Sequence, residues 1–214
     1  MYPVEAFHEA RVEVLHALIK AHPLATLVTL NAQGLEANHI PLLIDPDPAP
    51  FGTLRGHVAR ANPVWRTGSA DSDVLAVFQG PQGYITPSWY ASKVQHGKVV
   101  PTWNYAVVHA HGPLKIVEDA EWLRALVTRL TASQESPRAK PWRVTDAPGD
   151  YVNTMLQAIV GIEIPIHRLQ GKWKMSQNRL PQDREGVIKA LHAQGDAASR
   201  AMLDAMNAMD ATGQ

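Results

Sequence analysis

Residues 24–30, LATLVTL, followed by the turn residues 31–34, NAQG, and then by 35–44, LEANHIPLLI, read as a β-hairpin. The first run is dense in β-branched and other strand-forming side chains, and Asn-Ala-Gln-Gly is turn chemistry. Outward from this hairpin, strands are predicted at 52–58, at 74–79 (VLAVFQ) and, after a turn at 80–83, briefly at 84–86. The span 99–117 holds one long strand or two consecutive ones broken near Gly112-Pro113, and 159–169 is read as a final strand. Six or seven strands with turn signals therefore fill the centre of the chain. Helical spacing marks 8–21, 119–131, 150–158, 181–193 and 197–209, with Asp119 as a cap and Trp122, Leu123, Leu126, Val127 and Leu130 on one face. Asn62-Pro63 opens a short helix, with Asn62 as its N-cap. Residues 87–97 are read as an irregular aromatic loop. The expected fold is mainly β: a closed or partly closed antiparallel barrel with helices packed outside. Residues 1–192 are expected to form this domain, and 193–214 a loosely attached helical tail.

Composition narrows the chemistry. The 214 residues contain no cysteine, which excludes disulfides, thiolate catalysis and Cys-ligated metal. The start, MYPVEAF, lacks a basic region followed by an apolar run, and no uncharged apolar stretch approaches the roughly 20 residues of a membrane span. A cytoplasmic protein without membrane contact is expected. Lys+Arg and Asp+Glu are 20 each, so the formal net charge is zero. That balance weighs against strong DNA binding through phosphates by a single chain, and leaves open a basic face assembled by a dimer.

Four constellations are candidates for chemistry. In 54–63, LRGHVARANP, a strand ends, Arg60 follows and a capped helix begins. This is either an anion site or an exposed arginine beside an ordinary N-cap. In 171–179, GKWKMSQNR, Lys172, Lys174 and Ser176 share one face if the segment is extended, and Gln177, Asn178 and Arg179 add donors. That is a phosphate or ring-edge clamp, or else a solvated basic strand end. In 100–105, VPTWNY, flat Trp103 and Tyr105 adjoin Thr102 and Asn104, the mixture that a heterocycle with a polar rim needs, though strand aromatics also fill cores. His109 and His111 point the same way on a strand, but no third ligand is well spaced for a metal, so structural histidines are expected. Ser88 lies outside any nucleophile-elbow context, and no catalytic residue is assigned.

The ordered segments HIPLL (39–43), LRGHVARANPVW (54–65), FQGPQGYITPSWY (78–90), VVPTWNYAVVHAHG (99–112) and GKWKMSQNR (171–179) closely resemble the PaiB family. The likeness runs from residue 1 to about 191. It implies an FMN-binding split β-barrel related to pyridoxamine phosphate oxidases and flavin reductases, working as a homodimer with the flavin near the interface. It further implies a negative transcriptional regulator, with an FMN-dependent oxidoreductase acting on a small molecule as the alternative. Cofactor contacts are carried onto His39 and, for the phosphate end, onto His57, Val58, Ala59, Arg60 and Asn62. Thr102, Trp103 and Asn104 are implied beside the ring. Lys172, Lys174, Ser176 and Gln177 are implied to complete the site, from the partner chain.

Overall fold

Eight residues of antiparallel pairing decide where the first sheet grows. The computed structural model describes residues 1–2, 4–67 and 73–211. In chain order its principal elements are β1 (His8–Glu9), α1 (Val12–Ala21), β2 (Leu24–Asn31), β3 (Gly34–Pro41), β4 (Leu43–Asp45), β5 (Thr53–Ala59), α2 (Val64–Thr67) and β6 (Asp73–Ile85). They continue with α3 (Ser92–His96), β7 (Thr102–Pro113), β8 (Lys115–Val117), α4 (Ala120–Glu135), α5 (Gly149–Gln157), β9 (Ile159–Pro165), β10 (Arg168–Lys174), α6 (Pro181–Gln194) and α7 (Ala197–Ala211). The chain divides into two compact units, one of Met1–Leu18, Gln79–Val108 and Gln170–Gln214, the other of Ile19–Phe78 and His109–Leu169. Among the described residues, no helix is long and apolar enough to cross a membrane.

The second unit holds the predicted hairpin, β2 and β3, paired from Leu24↔Pro41 to Asn31↔Gly34. The expected return strand 35–44 is in fact two strands. Pro41 has no N–H to continue the ladder, Leu42 donates its N–H to the Pro23 carbonyl at 2.9 Å, and β4 joins a different sheet. That sheet runs β4-β5-β9-β8, with β5 and β9 paired over seven residues from Thr53↔Pro165 to Ala59↔Ile159. Gly56 permits the crossing: a Cβ there would sit 2.6 Å from Leu42 Cδ2 and 2.9 Å from the Pro41 carbonyl. Arg55 pairs with both Asp45 and Glu163, and Arg129 of α4 reaches the same Asp45. Burial pushes the Asp45 carboxyl up, but the two guanidiniums outweigh it and hold the group below its ordinary range. Asp119 caps α4 as predicted, accepting from Trp122 N at 2.7 Å, and Leu123 packs with Val152 and Leu156 in a small buried cluster.

In the first unit β1 pairs with β10, His8 opposite Lys172 and Glu9 opposite Gly171. The predicted helix from residue 8 therefore starts only at Val12. Buried Glu9 accepts from the Arg11 backbone N–H and side chain, which holds the extended segment before the helix. The expected turn at 80–83 is the interior of one 13-residue strand, β6. Gly80 lies there because a Cβ would meet Leu18 Cδ1 at 2.8 Å and the Ala106 side chain at 3.3 Å, so it serves packing and not a turn. Residues 87–97 are more regular than expected, with a 3-10 turn at Pro87–Trp89 and then α3. The described residues past 192 are largely helical. The helix α6 runs to Gln194, and Met202, Leu203, Met206 and Met209 of α7 are buried. Asp183 of α6 accepts from the Ser92 backbone N–H at 2.8 Å and its hydroxyl at 2.7 Å, both within a buried setting.

Asp183→Ala removes two buried hydrogen bonds to a charged acceptor and is expected to cost about 2–3 kcal/mol, read from urea denaturation at neutral pH. Burial raises the Asp183 carboxyl, but hydrogen bonding to Ser92 prevails and lowers it. Its stabilisation is thus complete above the unfolded carboxyl range and fades as pH falls through the lower folded value. The gap between parent and variant should shrink on acidification, and a constant gap would contradict the assignment.

Candidate functional site

Strand alternation on β10 sets the site. Gly171 and Trp173 face inward, so Gln170, Lys172 and Lys174 project together on the outward face. On β7, Asn104 and Ala106 are buried while Trp103 and Tyr105 face out. Lys172 Nζ lies 5.6 Å from the Tyr2 ring centroid and 5.9 Å from that of Tyr105, and donates to the Tyr2 carbonyl at 3.3 Å. Trp103, 54% exposed, makes an edge contact with Tyr84, their centroids 6.1 Å apart. Lys174 donates to Thr102 Oγ1. Its ammonium is held below its ordinary value by partial burial first, and then by the cations Arg179 and Lys172. Among the described residues no carboxylate forms an ion pair with either lysine, though Glu5 lines the same cavity as Lys172.

The rest of the GKWKMSQNR segment turns inward. β10 ends at Lys174, and Ser176 adopts φ 62, the left-handed region that non-glycine residues seldom occupy. Ser176 therefore leaves the row it was expected to share with the lysines. Its hydroxyl exchanges hydrogen bonds with the fully buried Asn104 amide, at 3.0 and 3.1 Å. Gln177 closes the turn, accepting from Met175 N at 2.7 Å and donating to the Trp173 carbonyl at 2.5 Å. Asn104, Ser176 and Gln177 thus brace the end of β10, while Lys172, Lys174, Trp103 and Tyr105 stay outward; Lys174 donates to Thr102, which shares the parity of Asn104 on β7.

The second unit uses the 57–62 segment differently from the expected anion grip. Asn62 does cap the following turn, accepting from Val64 N at 2.9 Å, and its amide donates to Asn38 at 2.8 Å. The helix beyond it has only four residues, too few for a useful dipole. Arg60 donates to the Gln157 carbonyl at 2.8 Å, the Ile159 carbonyl at 3.2 Å and the Glu118 carboxylate at 2.6 Å. Its guanidinium sits at the C-terminus of α5, where a cation satisfies the last carbonyls. Val58 is buried, and Ala59 pairs with Ile159. Burial lowers the pKa of His57, whose Nδ1 is buried and unbonded, and His39 is exposed on β3. His109 and His111 do point the same way, 6.5 Å between ring centroids. Burial above all lowers His109 to about 4. Arg168 donates to His111 Nδ1 at 2.9 Å, and among the described residues no group of three or more ligating side chains could hold a metal.

Two residues of the open face escaped the motif reading. Gln170 has its Oε1 buried without a donor, and it lines a cavity of about 200 Å³ with Tyr2, Val4, Phe7, His8 and Lys172. The two-residue period from Lys174 and Lys172 back to Gln170 was the available signal. Tyr84 lay in a segment read as a brief strand, with nothing in the sequence to pair it with Trp103.

The family described as "Putative FMN-binding domain" matches residues 1–168. A protein of Emericella nidulans is 35% identical over 94% of each chain. The protease synthase and sporulation protein PAI 2 of Bacillus subtilis is 32% identical over 96% of each chain. Among solved structures, the flavocytochrome Anf3 of Azotobacter vinelandii superposes with a TM-score of 0.58 at 12% identity, covering 81% of this chain and 72% of that one. The FAD and haem binding protein of Mycobacterium smegmatis gives 0.54 at 14%, covering 78% and 73%. Antiparallel sheets with peripheral helices, on this likeness, make the fold that of the flavin-binding split barrels. The chain belongs to the PaiB family, and FMN is its cofactor. The residues present fit that group: lysines with no carboxylate partner among the described residues suit a phosphate, and the outward aromatics suit a ring.

Arg60→Ala should remove the cap on α5 and lower stability by about 1 kcal/mol. Its effect on flavin should be equal for FMN and riboflavin. Paired thermal melts and fluorescence titrations check both, and a selective loss of FMN would return Arg60 to the phosphate.

Proposed function

We propose that the protein is a homodimeric FMN-carrying regulator of the PaiB type, with the flavin seated on the outward face of β10 and β7. The observation that carries this reading is the pair Lys172 and Lys174, without a carboxylate partner among the described residues, Lys172 beside the Tyr105 ring and Lys174 bonded to Thr102. Lys174 and the Thr102 hydroxyl hold the phosphate, and Trp103 and Tyr105 shield the ring from water. Bound FMN supplies reversible one- and two-electron chemistry, while the chain positions it and controls access. Half-exposed Trp103 and Tyr84, together with exposed Val100, support a second copy as the cover of this face. Kinship over nearly the whole chain with a sporulation protein supports the regulatory output.

That output does not run through a basic reading helix. The paired helices α6 and α7 are close to neutral, and α7 carries Arg200 against Asp204 and Asp210. The flavin's occupancy or redox state is therefore the signal, passed to another molecule. The same neutrality favours a second reading, an FMN-dependent oxidoreductase acting on a small molecule.

Purified protein should take up one FMN per chain, elute as a dimer in light scattering, and show no sequence-selective DNA binding at low salt. Selective binding with a steep salt dependence would overturn indirect regulation. Anaerobic bleaching of the flavin by NAD(P)H at catalytic rates would select the oxidoreductase. Lys174→Met should weaken FMN by about 1.5–3 kcal/mol, roughly ten- to a hundredfold, while riboflavin binding changes little. An equal loss of both flavins would take Lys174 away from the phosphate.

A further inference from the structure

We propose that the second unit carries a further binding site, a groove between the last two turns of α4 and residues 141–145, and that its ligand is a small aromatic carboxylate. None of its residues belongs to the flavin face, so the proposal stands apart from the FMN reading. The groove has a volume of about 490 Å³. Pockets for drug-sized ligands measure roughly 300–1,000 Å³, so it has room for a ring system. The segment facing α4 is held in place. Trp142 donates its backbone N–H to Glu135 Oε2 at 3.0 Å, and Arg143 donates its own to Asp146 Oδ2 at 2.9 Å. Val144 packs on the buried cluster of Leu123, Val152 and Leu156. Three successive residues are thus anchored, and a ligand meets a wall that is already ordered.

The lining is one-sided in its chemistry. Pro141, Trp142 and Val144 supply apolar surface, and Trp142 remains 48% exposed. Half-exposed indole is apolar area that a stacked aromatic ring would cover. The groove holds one carboxylate and one guanidinium, and only the carboxylate is matched. Glu135 has both oxygens engaged, Oε2 by the Trp142 N–H and Oε1 by Arg138 Nε at 3.0 Å. The Arg143 guanidinium has no hydrogen-bond or ion-pair partner among the described residues. Asp146 accepts the Arg143 backbone N–H and does not line the groove. The hydroxyls of Thr131 and Thr145 also line it, and make no hydrogen bond among the described residues. Charge complementarity therefore selects an anion, and the planar fork of arginine suits the two oxygens of a carboxylate. Trp142 selects an aromatic body for it. An organic cation would meet Arg143, and a neutral ring would leave the fork unused.

The test titrates the full chain, in an excess of FMN, with 2-naphthoate and with its neutral isostere 2-naphthamide, read by calorimetry. The parent protein should bind the naphthoate about tenfold tighter than the amide. Arg143→Gln should bring the two to equal affinity by weakening the naphthoate, and Arg143→Lys should restore part of the preference. Trp142→Ala should weaken both ligands by a similar factor. The anchoring of both positions runs through backbone N–H groups, so these variants keep the wall, and unchanged thermal melts check that they do. Absence of naphthoate binding, equal binding of both ligands by the parent protein, or an undiminished preference in Arg143→Gln overturns the site. Tighter binding of 2-naphthylmethylamine than of 2-naphthoate overturns the choice of an anion. Each of these outcomes leaves FMN uptake, and the reading built on it, unchanged.

Discussion

The amide of Asn104 is fully buried, and a buried amide must be hydrogen-bonded. Ser176 meets that demand, and to reach it the chain adopts φ 62. This single constraint ends β10 at Lys174 and holds that strand end against Thr102 of β7. Had the strand run on for two more residues, Ser176 would have continued the row of Lys172 and Lys174 on the open face. Instead the strained turn separates two roles within nine residues of sequence. One side chain set braces the turn, and the other stays available to a ligand. Left-handed strain at a non-glycine residue persists only where its surroundings over-determine it, and here a buried amide and the Gln177 bridge do so.

Charge placement follows the same division of labour. In the second unit three guanidiniums are matched: Arg55 by Asp45 and Glu163, Arg129 by Asp45, and Arg60 by Glu118 and the α5 carbonyls. Those cations stabilise the fold and have little left for an anion. On β10 the lysines lack such partners, and partial burial together with mutual repulsion lowers Lys174. An arrangement that the folded chain leaves unfavourable is one that an incoming phosphate relieves. The neutral total charge conceals this contrast, because a sum over the chain carries no information about which charges neutralise one another.

Much of the fold was legible along the chain. The hairpin β2–β3, the Asp119 cap and the helices α4 to α7 all rest on local patterns, and local patterns are what sequence reading resolves. The misreadings share one cause. Gly80 and Pro81 looked like a turn but sit inside β6, because Gly80 answers to Leu18 and Ala106, which are remote in sequence. The split of 35–44 at Pro41 depends on Gly56, and the early start of α1 was displaced by pairing of β1 with β10. In the candidate site, Lys172, Lys174, Thr102 and Trp103 were singled out by their side-chain chemistry and by the family likeness. Arg60 was found for the same reason and turned out to cap a helix. Gln170 was passed over because an amide signals nothing until its burial is known.

By itself the sequence determined the two-residue and 3.6-residue rhythms of its elements, since these are carried by residue types and their spacing, and its resemblance to the PaiB family implied FMN. Only the tertiary structure decided which polar side chains are satisfied within the protein and which are left to meet a ligand. The reason is physical: hydrogen bonds and ion pairs join residues a hundred positions apart as readily as neighbours, and a donor's role is settled by the partner that folding brings to it.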